Sequence, residues 1–149
     1  MKVDWCPKVG VLFAMVGLLA FQLSSCKDEI SAEEAFLNKV SGTWKASPIG
    51  VSVDGVAVNG AFSNFSITIK NDATYTTTNG NSPIWPSSGK ITVVANSSSV
   101  GFKFMRSDGV EVAIQQFTDT KLVLALQYAD PNGRTRGVSG NYVFDLQKN

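Results

Sequence analysis

Histidine is absent from all 149 residues. Its absence removes Ser-His-Asp and Cys-His nucleophile systems and the commonest zinc ligand, leaving carboxylates, lysines and tyrosines for acid–base work. Cysteine is almost as scarce: Cys6 and Cys26 are the whole complement, so nothing after position 26 can form a disulfide and packing alone must hold the rest of the chain. Charge of one sign is lacking too, with 13 basic against 12 acidic residues and a formal net charge of +1. No basic stripe exists for nucleic acid and no polybasic patch for an anionic membrane. A glycine-rich phosphate loop and a close carboxylate pair are also missing. Together these absences argue against an enzyme and point to no metal or cofactor.

What is present begins with an address. Lys2 and Lys8 form a positive n-region, and residues 9–21 are an unbroken apolar and glycine run of h-region length, short for a bilayer span. Leu23-Ser24-Ser25-Cys26 follows, a large apolar residue and two small ones before a cysteine, and this resembles a bacterial lipobox. The resemblance implies that residues 1–25 are a signal peptide, that Cys26 is lipidated and becomes the N-terminus, and that residues 26–30 are a lipidated tether. Lys27, rather than aspartate, follows Cys26, which favours the outer membrane. Lys27-Asp28-Glu29 resembles the run that sends some lipoproteins of the Bacteroides group to the cell surface, although a merely solvated leader reads the same way. Loss of Lys2, Lys8 and Asp4 with the signal takes the formal charge from +1 to zero. The remaining residues suffice for one domain with a real core and are too few for two.

Ser31-Ala32-Glu33-Glu34 is a capping box that predicts a helix within residues 31–40, with Ala35, Phe36, Leu37 and Val40 on its apolar face. Two acids in the first turn also suit the positive end of the helix dipole. Beyond it, residues 41–149 alternate with period two. Phe65, Ile67 and Ile69 form one inward set; Phe102 and Phe104, then Val110, Val112 and Ile114, form others. Leu122, Leu124, Leu126 and Tyr128 continue the scheme, and Tyr142, Phe144 and Leu146 close it. Asp54-Gly55 and Asp108-Gly109 are tight-turn pairs, with Asn71-Asp72, Asn96-Ser97 and Asp119-Thr120 as softer ones. Links this short join strands antiparallel and leave no room for helical crossovers. About nine strands are expected, in an all-β, antiparallel up-and-down barrel or, alternatively, a two-sheet β-sandwich.

Gly42-Thr43-Trp44 on the first strand after a short helix resembles the lipocalin signature, in which the tryptophan closes the base of a barrel. With the lipobox and the strand-only remainder, the chain from 41 to 148 is similar to the small lipocalin-like lipoproteins of the Bacteroides group. The resemblance implies closure through Gly42 and Trp44, with residues 43–46 pairing to the final strand around 142–146. It departs from lipocalins in having no helix after that strand and no arginine on it to stack over Trp44, Lys148 being the nearest cation.

Two connections are long. Residues 79–88 carry Trp85 between Pro83 and Pro86, and residues 130–140 carry Arg134 and Arg136. A proline-flanked tryptophan is either a rim residue that stacks on a ligand or a plug that packs on the core. Arg134 and Arg136 are candidates for a carboxylate or phosphate, and Tyr75 and Tyr128 for hydroxyls inside a cavity. The resemblance to lipocalins, rather than any of these residues, implies a non-enzymatic binding module for a small apolar or glycan-like ligand, held to the outer membrane by lipid on Cys26. The alternative is a structural or accessory subunit with an outer-membrane protein partner. A roomy cavity would favour the first and a filled barrel the second.

Overall fold

The structure, a computed structural model, describes residues 31–58, 60–94, 102–130 and 139–149. Helix α1 spans Ala32–Val40. Its Ser31 Oγ accepts from the Glu34 amide at 3.1 Å, the forward half of the capping box. At the other end the Ser41 amide donates to the Leu37 carbonyl. Phe36, Leu37 and Val40 are buried, as the spacing of the apolar face requires.

Nine strands follow among the described residues: β1 Gly42–Val53, β2 Val56–Ala57, β3 Ser66–Ile69, β4 Thr74–Thr78, β5 Ser88–Val94, β6 Lys103–Arg106, β7 Glu111–Phe117, β8 Lys121–Tyr128 and β9 Gly140–Lys148. Each pairs antiparallel with its neighbour, and β1 pairs with both β3 and β9. The sheet is thereby closed into an eight-stranded antiparallel barrel, lipocalin-like in architecture, with β2 as a short hairpin extension of β1. The sandwich alternative does not hold. Closure runs through Trp44↔Lys148, Lys45↔Gln147 and Ala46↔Leu146, then resumes at Val51↔Phe144 after a bulge. Because β1 is twelve residues long, it can serve both neighbours, and neither β1 nor β9 is left with a free edge along these residues.

The turns have the chemistry their residues dictate. Asp54 and Gly55 both have positive φ, 49° and 82°, the backbone a two-residue hairpin with right-handed twist needs. After β3, the Asp72 carboxylate accepts from the amide and hydroxyl of Thr74, holding that turn by side chain where no glycine is present.

Alternation along each strand fills the interior. Phe65, Ile67, Ile69, Phe104, Val112, Ile114, Leu122, Leu124, Leu126, Tyr142, Phe144 and Leu146 are all buried, as expected from their parity. Phe102 is the exception, 57% exposed. It precedes β6, and its ring leaves the barrel to meet Phe36 of α1 at 5.4 Å between centroids. Phe62 and Ile84, both from connections rather than strands, join the core instead. Since the strands alternate in direction, α1, the β3–β4 and β7–β8 turns and Lys148 share one end of the barrel. The β2 hairpin, residues 79–87, the β6–β7 turn, the end of β8 and the start of β9 share the other.

Candidate functional site

At the loop end, Trp85 and Tyr75 are brought together, but inside the barrel. Trp85 is 1% exposed, so of the two placements its sequence context allows, rim and plug, the structure has the plug. Its ring packs on Phe65, Tyr75 and Phe144 at centroid distances of 6.1, 5.6 and 5.8 Å. The segment turns inward because its backbone is tied to itself. The Trp85 amide donates to the Gly80 carbonyl, the Ile84 amide to Asn81, and both the amide and hydroxyl of Thr77 reach the carbonyls of Ser87 and Pro86. Gly80 is required by close approach, since a Cβ there would lie 2.4 Å from the Trp85 carbonyl oxygen.

The residue that holds this plug is Arg106, at the end of β6. Its side chain is fully buried, and its guanidinium lies 4.8 Å from the centroid of the Trp85 ring. It donates to the Ile84 carbonyl and, through two nitrogens, to both oxygens of Asp108, with Nε to Oδ1 at 3.0 Å. A forked cation is thus shared between the β6–β7 turn and the loop. Burial pushes the Asp108 carboxyl up, but the Arg106 hydrogen bonds and charge and the Val110 amide outweigh it and hold the group below its usual range. Burial raises the Tyr75 phenol, against the lowering charge of Arg106. The Trp85 indole N–H is buried without an acceptor among the described residues. Leaving a donor unpaired costs about 1–3 kcal/mol, which packing and the cation must offset.

Arg106 was readable in the sequence. It has the parity of Phe104, so period two sends it inward, and Asp108 follows two residues later on the turn. The alternation of aromatics drew attention to Phe102 and Phe104 and away from the arginine that continues the row. Tyr128, by contrast, is half-buried against the core at the end of β8 and apart from this cluster. Arg134, Arg136 and Cys26 lie outside the described residues.

The helix end is closed by Trp44, fully buried, whose Nε1 donates to the Val40 carbonyl at 2.8 Å and so ties β1 to the last turn of α1. Lys148 Nζ lies 5.4 Å from its ring centroid, so the cation over this tryptophan is a lysine on β9. Beside this closure, α1 does not seal completely against the barrel. A groove of about 220 Å³ runs along it between Ala32, Ala35 and Val40 on one side and Phe102, Ile114 and Phe117 on the other, with Lys39 at its margin. A second hollow, about 540 Å³ and open, lies over β7, β8 and β9 and carries Glu111, Gln115, Gln127 and Asn141.

Among the described residues no group of three or more carboxylates, histidines or cysteines is placed to hold a metal ion, and no helix is long and apolar enough to cross a membrane. No protein family, curated protein or solved structure matches this chain.

Proposed function

We propose that this protein is a non-enzymatic lipoprotein, anchored by lipid on Cys26 to the outer membrane at its periplasmic or outer face, and that its barrel is a scaffold for an accessory subunit of a membrane assembly. The observation that carries this reading is the filled interior. Trp44, Trp85, Arg106, Tyr75, Phe65, Phe104 and Phe144 are each under 2% exposed and occupy the space where a lipocalin-like cup would hold a ligand. A barrel plugged at both ends offers its outside to partners. The lack of histidine and of a thiol beyond Cys26 supports a role without covalent or acid–base chemistry.

The second reading, a binding module for a small glycan-like or apolar ligand, moves from the barrel interior to its exterior. The hollow over β7 to β9 favours it, because the amides of Gln115, Gln127 and Asn141 with the Glu111 carboxylate suit sugar hydroxyls. Gentle extraction from native membranes, followed by native mass spectrometry, separates the two. A scaffold is expected as a lipidated chain in a defined assembly with no small molecule bound; a lone chain carrying a stoichiometric small molecule would overturn it in favour of the second reading.

A further inference from the structure

Of the three large hydrophobics exposed among the described residues, Ile49, Val56 and Phe102, only Phe102 lines the apolar groove beside α1. The groove is nearly all carbon: Ala32, Ala35, Phe36 and Val40 from the helix face Phe102, Ile114 and Phe117, and the Lys39 stem runs along its edge. A hydrophobic slot with an exposed aromatic at its lip is a contact surface awaiting an apolar partner.

Its position says which partner. Ala32, the first residue of α1, lines the groove, and Ser31 caps that helix. Only residues 27–30 separate Ser31 from Cys26. Fully extended, a five-residue tether spans at most about 18 Å, so a lipid on Cys26 keeps the helix end of the barrel beside the bilayer. The opposite end lies farther off by the length of the strands, at about 3.3 Å per residue.

We infer that the α1 end of the barrel docks on the phospholipid bilayer, with the groove and the Phe102 ring against the lipid tails. The inference rests on the proposed lipid attachment at Cys26 and deepens it, adding a fixed orientation to the anchor. The β2 hairpin, the loop after β4 and the β6–β7 turn then point away from the membrane. Apolar contact rather than charge carries the docking, because the chain beyond the signal has no net charge to bring to anionic headgroups. Salt therefore has little effect on it.

The test uses the full lipoprotein, extracted from its membrane and returned to vesicles of phosphatidylethanolamine and phosphatidylglycerol, with one thiol introduced at a time as Phe102→Cys or Val56→Cys. Lipidation occupies the sulfur of Cys26, so each variant carries one reactive site for a fluorophore. With doxyl-labelled lipids in the vesicle, the label at 102 should be quenched several-fold more than the label at 56, unchanged by 0.5 M salt. Equal quenching at both sites, in protein whose mass shows lipid on Cys26, overturns the docking and leaves the anchor standing. A label at 102 shielded from aqueous iodide but untouched by doxyl lipid overturns it in favour of a second copy of this chain on the groove. A mass showing unmodified Cys26 removes the anchor and the docking together.

Discussion

Two tryptophans close this barrel, one at each end, and they do it differently. Trp44 and Trp85 are 0% and 1% exposed and each has a cation over its ring. At the helix end the indole N–H of Trp44 is satisfied by the Val40 carbonyl, and the cation is a lysine on a neighbouring strand. At the loop end the indole N–H of Trp85 has no acceptor among the described residues, and the cation is a buried arginine that also takes the Ile84 carbonyl. The first closure is made of secondary structure, a helix end bonded to a strand. The second is a loop drawn inward by packing and clasped by one side chain, so more of its stability rests on fewer residues.

The comparison can be broken from the loop end. Trp85→Ala should remove about 3–5 kcal/mol, the cost of emptying a large buried aromatic site, seen as a drop in the urea midpoint with an unchanged slope. A loss below about 0.5 kcal/mol, the size of a surface change, would mean that the indole is not in the core. At the helix end Trp44→Phe keeps an aromatic ring and deletes the hydrogen bond to Val40. A cost of about 1–3 kcal/mol is expected, because the carbonyl at the end of α1 loses its buried donor.

Asp108→Asn sharpens the difference, since it weakens the clasp and leaves the plug in place. Asp108 is itself 37% exposed, so the cost should be smaller, about 1–2 kcal/mol after discounting for solvent. It should also depend on pH. The carboxyl is held below its ordinary value of 3.8, so its contribution is complete above the unfolded-state value and is lost as pH falls through the lowered one. Denaturant curves of wild type and Asp108→Asn should differ at neutral pH, begin to approach one another only below about pH 4, and meet once pH has fallen below the lowered value. A gap that persists in acid would assign the effect to shape rather than charge. The smallest effect is expected from Phe102→Ser, within about 0.5 kcal/mol by thermal melt, because the ring is mostly exposed and leaves no void.

The two ends also differ in how far the sequence revealed them. The helix end was legible almost entirely: the Ser31 cap and the apolar face of α1 are local patterns, and closure onto β9 was implied by the lipocalin resemblance that Gly42-Thr43-Trp44 carries, where alternation alone fits a sandwich as well. The loop end was not. Period two cannot say where a loop goes, and a proline-flanked tryptophan fits a rim as well as a plug. What decides between them is a contact between residues 85 and 106, distant in sequence, and a guanidinium whose burial depends on Asp108 being beside it. Phe102 failed for a related reason, as alternation extends a strand past the point where the barrel wall stops. Phe62 and Ile84 lie in connections, where no periodicity marks them as core. Arg134 and Arg136, for which an anion-binding role was expected, fall outside the described residues.

The central distinction, a filled barrel with its loop-end tryptophan inside, is most directly tested by fluorescence. Trp44→Phe combined with Trp5→Phe leaves Trp85 as the sole tryptophan, whether or not the signal has been removed. In native buffer a plug packed against Phe65, Tyr75 and Phe144 predicts blue-shifted emission, with acrylamide quenching several-fold weaker than in the urea-unfolded chain. Red-shifted emission with quenching equal to that of the unfolded chain would place Trp85 in solvent at an open barrel mouth and contradict the filled interior.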